Sequence, residues 1–220
     1  RFVISGASSG SVDSPVTITI QAQKPDGSVD GNYQSDVTLN TTGSATGGGL
    51  VDIINGVGSK NISDTVAETV NLSLSDTEAT GLDVVSTHQI AFSAGALAQF
   101  SLSNVVSTGA GVRAEYSVTR KDQYGNLISS VSPSTVYLYS NSSSTNDKFY
   151  DASTGGNIIT SIQIPAGQSS VSFWYYDDTL GTWTVTASDN ATSPDGNSGV
   201  ADALDSIQIT PGPTAIFEVN

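Results

Sequence analysis

The chain repeats itself, and the repeat is what most restricts its fold. The segment Ile90-Ala-Phe-Ser-Ala-Gly-Ala-Leu-Ala-Gln-Phe100 returns as Ile207-Gln-Ile-Thr-Pro-Gly-Pro-Thr-Ala-Ile-Phe217, with Ile, Gly, Ala and Phe in step. Phe2-Val-Ile-Ser matches the text after each junction, Phe100-Ser-Leu-Ser and Phe217-Glu-Val-Asn. Further anchors keep the same order. Ile18 to Gly27 parallels Tyr116 to Gly125, Val37-Thr-Leu39 parallels Val136-Tyr-Leu138, and Asp64-Thr65 up to Asp76 is matched by Asp178-Thr179 up to Asp189, with one residue inserted in the first copy. A period of this kind means copies of one structural unit. The expected boundaries are residues 1–96 and 97–213, with a third copy or linker starting over 214–220. The chain is thus expected to begin inside one repeat and stop as another starts. The short junction around Ala94–Ala98, with Pro211 and Pro213 at the next one, leads to the expectation of a semi-rigid array.

Inside each copy the apolar period is two, the mark of half-buried strands. Val171-Ser-Phe-Trp-Tyr-Tyr176, Trp183-Thr-Val-Thr-Ala187 and Val16-Thr-Ile-Thr-Ile20 all alternate. Asp26-Gly27, Tyr124-Gly125-Asn126, Ala166-Gly167 and Asp195-Gly196 supply turns between them. No convincing amphipathic helix is present. In the second copy strands are predicted at 99–104, 114–121, 135–140, 169–176, 182–188 and 206–210, with a weak further strand before 169. Seven short antiparallel strands in about 100 residues describe an immunoglobulin-like sandwich. The fold class is therefore all-β, as tandem immunoglobulin-like β-sandwich domains.

Charge narrows the function. Lys and Arg number 7 against 21 Asp and Glu, a net charge of −14. Nucleic acid is excluded as a partner, since binding it requires Lys and Arg on phosphates. Anionic membrane surfaces are disfavoured likewise, and no apolar run reaches the length of a membrane helix. An acidic chain attracts divalent cations instead. Cysteine is absent, which removes disulfides and thiolate metal sites. Only 13% of residues are charged. Polarity comes from Ser, Thr, Asn and Gly, an extracellular style.

One run resembles a known family. Ala-x-Phe-x-Leu, Asp122-Gln-Tyr-Gly-Asn126, Thr-Val-x-Leu and Phe-x-Tyr-Tyr-Asp-Asp-Thr-x-Gly-Thr-x-Thr-Val-Thr-Ala187 look like the bacterial Ig-like repeats of invasin- and intimin-type adhesins and of prokaryotic S-layer proteins. The first copy departs from the pattern: Pro25 stands for the Gln, Val66 and Ala67 for Leu180 and Gly181, and its fifth strand lacks aromatics. The resemblance implies a stalk, lattice or adhesion module at the cell surface, cell wall or S-layer. Its partners would be neighbouring domains of the same protein and further copies in a lattice or fibre.

Candidate sites follow from the loops. Asp64, Asp122, Asp189, Asp195 and Asp202 are expected near the junction of the two copies, where carboxylates and carbonyls would give Ca²⁺ its six to eight oxygens. The plainer reading, solvated turn-forming aspartates, is favoured by the lack of an Asp-x-Asp-x-Asp-Gly loop. Core positions are Phe173, Tyr175, Trp183, Val185, Val136 and Leu138. Trp174 and Tyr176, with Tyr137 and Tyr139, face outward and would suit a sugar ring, although the two pairs belong to opposite sheets. Polysaccharide binding, as an accessory module of an extracellular enzyme, is the alternative to a scaffold. Catalysis has no candidate residues: His88 is the single histidine and falls on a strand, so the chain is expected not to be an enzyme. Asn40, Asn61, Asn71, Asn141 and Asn190 stand in glycosylation sequons, most of them by chance in a chain so rich in Ser and Thr.

Overall fold

The computed structural model describes residues 1–212 apart from Val131. The expected third copy over 214–220 lies outside the described residues. The chain divides into two compact units, Arg1–Ala96 and a second beginning at Leu97. Neither contains a helix among the described residues.

The first unit holds β1 (Phe2–Gly6), β2 (Ser9–Ser11), β3 (Val16–Ala22) and β4 (Val37–Thr41). It continues with β5 (Gly49–Val51), β6 (Val57–Ile62), β7 (Thr69–Ser75) and β8 (Thr87–Ser93). The second unit opens with β9 (Gln99–Asn104), β10 (Ser107–Gly109), β11 (Ala114–Lys121), β12 (Ser134–Ser140) and β13 (Lys148–Tyr150). Then come β14 (Ile158–Ile159), β15 (Ser161–Ile164), β16 (Ser170–Tyr176), β17 (Gly181–Ser188) and β18 (Ala203–Thr210).

Each unit is two sheets around its own core. One sheet runs β2-β8-β7-β4-β5 in the first unit and β10-β18-β17-β12-β15 in the second, strand for strand the same. The other runs β1-β3-β6 and β9-β11-β16, the second being extended by β13 and β14. In both units the first strand pairs antiparallel in one sheet. The chain then crosses, so that β2 and β10 run parallel to the last strands β8 and β18.

The burial pattern of β3, alternating from Val16 to Ala22, explains why a period-two sequence makes this fold. One face of the strand joins Phe2, Leu39, Ile62 and Leu72 in a single apolar cluster, and the other meets solvent. The second unit repeats this with Tyr116, Val118, Val136, Phe173, Tyr175 and Val185. Tyr116 stacks on Phe173 with ring centroids 5.4 Å apart. Trp183, expected in the core, packs at its margin, where its indole N–H reaches the Thr179 carbonyl at 2.9 Å.

Strand register corrects one feature of the repeat. Val16 pairs with Ile62 in the first unit and Ala114 with Tyr175 in the second; Val70 pairs with Ile90 and Trp183 with Ile207. Tyr175 therefore occupies the place of Ile62, and Asp177, rather than Asp178, the place of Asp64. On this register no residue is inserted, and Glu68 corresponds to Gly181. Two adjacent aspartates make the alternatives look alike in sequence, but a one-residue slip would turn the strand inside out.

Candidate functional site

The loop between β17 and β18 gathers carboxylates. Asp189 leaves the strand and its Oδ2 accepts the Val200 N–H at 3.2 Å. Asp202 enters the next strand, and its Oδ2 accepts the N–H groups of Asp195 and Gly196 at 2.9 and 2.8 Å. Gly196, at φ 73°, lets the loop double back at Asp195. Asn190 donates to Asp195 Oδ2 at 3.1 Å, and the Tyr139 hydroxyl donates to the Asn190 carbonyl at 2.6 Å, tying the loop to β12. Burial raises the Tyr139 pKa, and Tyr137, Asp202 and Asp195 push it further in the same direction.

As a result Asp189, Asp195 and Asp202 each bring a carboxylate oxygen within 4.8 Å of the others. Asp189 and Asp195 are exposed and Asp202 is half-buried. Asp202 Oδ1 is buried without a hydrogen-bond partner. Three hard anionic oxygens on a solvent-facing loop are suited to Ca²⁺, with water completing the shell.

The other two predicted metal residues do not join this group. Asp122 is fully buried in its own turn: Oδ1 accepts from the N–H groups of Tyr124 and Asn126, and Oδ2 from the Asn126 amide. The Asp-x-x-x-Asn spacing serves a turn. Asp64 lies in the first unit, beside Ser44 and Glu68. The first unit's counterpart of Asp189 is Asp76, whose two oxygens accept the Thr80 and Gly81 N–H groups at 2.8 Å. These bonds, led by that of Thr80, lower the Asp76 pKa.

On the sheet β13-β16-β11, Trp174 and Tyr176 sit half-buried on the outer face, next to Tyr150. Tyr150 and Tyr176 meet edge to face at 6.5 Å. The Arg113 guanidinium lies 3.3 Å from the centre of the Tyr150 ring and donates to the Ala152 and Gly155 carbonyls. Tyr137 and Tyr139 are on β12, in the opposite sheet. His88 faces the Ala7 carbonyl at 3.1 Å. The groove beside it is lined by Ser8, Asn71, Leu72, Ser73, Thr87 and Gln89, without a carboxylate to orient the imidazole.

Arg120 was not anticipated as special. It is fully buried, and its guanidinium donates to the carbonyls of Ile128, Ser130, Ser132, Pro165 and Gln168 and to Ser134 Oγ. Strand parity places it on the same face as Tyr116 and Val118, which is the signal that it faces inward. Asp177 is also fully buried, accepting from the Tyr175 hydroxyl at 2.6 Å and from Thr179 N–H at 2.8 Å.

No protein-family model and no curated protein matches the chain. Solved structures similar to it include invasin, a bacterial integrin-binding protein, at 16% identity over 97% of this chain and 40% of that one, with TM-score 0.41. Another is the Escherichia coli adhesin FdeC, at 12% identity over 96% of this chain and 63% of that one, TM-score 0.42. A β-glycosidase from Bacteroides vulgatus is similar at 11% identity over 94% of this chain and 24% of that one, TM-score 0.41. The chain spans less than two thirds of each.

Proposed function

We propose that this chain is a structural repeat segment of a prokaryotic cell-surface or S-layer protein, an extracellular spacer or lattice scaffold. The observation that supports it is the duplication itself. The same eight-strand pairing is built twice, each copy with a closed apolar core. Partners on this reading are neighbouring domains and other copies of the protein. Electron microscopy of the parent protein tests it: a planar lattice or a surface fibre is expected, and a compact soluble enzyme carrying these units as an appendage would overturn it.

That appendage is the second reading, a carbohydrate-binding accessory module. It draws on the aromatic group Tyr150, Trp174 and Tyr176 on one sheet face. Affinity electrophoresis on insoluble glycans decides it, with retardation that Trp174→Ala abolishes as the supporting result.

The loop carboxylates Asp189, Asp195 and Asp202 are assigned to Ca²⁺ within either reading, as a clip that stiffens the β17–β18 loop. The buried, unpartnered Asp202 Oδ1 favours this over three solvated turn formers.

A further inference from the structure

A second carboxylate site sits in the first unit, where the two copies use the same corner differently. Asp64 and Asp177 are equivalent by strand register. Each turns the chain out of its strand by accepting the N–H two residues on, Val66 to Asp64 Oδ1 and Thr179 to Asp177 Oδ1, both at 2.8 Å. The second oxygen separates them. Asp177 Oδ2 accepts the hydroxyl of Tyr175. The residue in that place in the first unit is Ile62, which has nothing to donate, and Asp64 Oδ2 is buried with no hydrogen-bond partner. Asp64 is 3% exposed.

A second carboxylate faces it. Glu68 stands where the second unit has Gly181, and Ser44 Oγ lies 2.8 Å from both Asp64 Oδ1 and Glu68 Oε1. A hydroxyl carries one hydrogen and serves one acceptor at a time. The Ser44 N–H also lies 2.7 Å from Glu68 Oε1, so a single serine holds both carboxylates at this corner. Gly43, at φ 65°, leaves the room for this approach, since a Cβ there would collide with the Glu68 carboxylate. Among the described residues no lysine or arginine pairs with either acid. A buried carboxylate oxygen beside a second anion is costly unless a positive charge lies between them.

We propose that Asp64, Glu68 and Ser44 bind a divalent cation in the first unit, with Asp64 Oδ2 and the Glu68 carboxylate as its anionic ligands. Two carboxylates match the charge of the ion, and Ca²⁺ accepts water for the remainder of its shell. With so few protein ligands the affinity belongs to the weak extracellular range, Kd on the order of 10⁻⁴–10⁻³ M. The site is separate from the Asp189 loop and stands whichever role the chain plays.

The test is thermal unfolding of the chain in CaCl₂ and in EDTA, in an Asp195→Asn/Asp202→Asn background that silences the other loop. At Ca²⁺ about tenfold above Kd, the first unit's transition is expected to rise by roughly 6–11 °C. Asp64→Asn and, separately, Glu68→Gln should each remove that rise. Glu68 is half-buried, so its variant folds even if Asp64→Asn does not. Ile62→Tyr, which supplies the hydroxyl found in the second unit, should also remove it. An unchanged transition in the background chain, or a rise that survives Glu68→Gln, overturns the proposal. So does a transition that follows pH but ignores Ca²⁺, because the pair would then be sharing a proton.

Discussion

The two units share a scaffold but fill it by different chemistry. At the end of the second main strand, the first unit buries Ala22 against Phe2, whereas the second buries Arg120 against Phe100. Near the end of the strand paired beside it in the same sheet, the first unit has Ile62 and the second Tyr175. The first unit is an apolar sandwich of mostly aliphatic residues with Phe2 and Phe92 among them, and has one under-bonded acid at its corner. The second replaces part of that apolar volume with a polar frame: a guanidinium satisfied by carbonyls, and an aspartate closed by a phenol. Burial pushes the Arg120 pKa down, yet the side chain remains charged because an arginine guanidinium holds its proton in proteins. A β-sandwich of this type therefore tolerates a buried charge wherever loop carbonyls converge to meet it. Two loops do so here, between β11 and β12 and between β15 and β16, and Arg120 ties them together.

Removing that frame should separate the units most sharply. Arg120→Ala leaves the buried Ile128 carbonyl and four part-buried ones without this donor and opens a cavity. Its expected cost is about 3–5 kcal/mol, the scale for taking one member from a buried charged network. Urea unfolding should show the second unit's transition moving while the first stays in place. Arg120→Lys should recover little, since an ammonium cannot reproduce the fork. A single transition that shifts as a whole would mean that the units do not unfold independently.

Tyr175→Phe sharpens the comparison at the corner. It strips Asp177 Oδ2 and Ser140 Oγ of the hydroxyl that lies 2.6 and 2.8 Å from them, giving the second unit the condition of Asp64. A loss of about 1–3 kcal/mol is expected in the second unit's transition, as for a buried acceptor left unpaired.

The β7–β8 and β17–β18 loops give the next contrast. At about tenfold its Kd, Ca²⁺ should stabilise the second unit by roughly 1–2 kcal/mol, and Asp195→Asn should cancel the gain. Asp76→Asn should leave the second unit's response intact, because Asp76 belongs to the first unit's loop.

The smallest effect is in acid. Burial, and then the charge of Asp177, raise the Asp147 pKa. Asp147 therefore costs stability at neutral pH, and that cost fades as pH falls through its raised folded value and disappears below the unfolded one. Asp76 has the opposite sign: its contribution is present above the ordinary aspartate range and is lost as pH falls through its lowered folded value. Asp147→Asn should thus be the more stable protein at pH 7 and Asp76→Asn the less stable, with both differences shrinking on acidification. Parallel urea titrations at pH 7 and pH 4 check the signs.

Much of this architecture was legible in the sequence because period-two patterning is local. The strands expected at 99–104 and 114–121 coincide with β9 and β11, and the inward residues Val136, Leu138, Phe173, Tyr175 and Val185 are core. The β13–β14 hairpin left only a weak trace, since its strands have three and two residues. The loop acids at 189, 195 and 202 were readable as candidates. Their convergence was not, because it depends on a glycine turn that brings Asp195 back to Asp202. Arg120 escaped notice because a charged residue in a strand is ordinarily assigned to solvent, and only the carbonyls of two distant loops reverse that. Glu68 was hidden by an alignment one residue out of step.

The crossing of the first strand has a mechanical consequence. Because β2 and β10 run parallel to the closing strands β8 and β18, tension applied between the two ends of a unit pulls neighbouring strands past each other along their length. The rungs of such a ladder are strained together, whereas peeling an antiparallel hairpin breaks them one at a time. Each unit carries one such parallel ladder, between its second and its last strand.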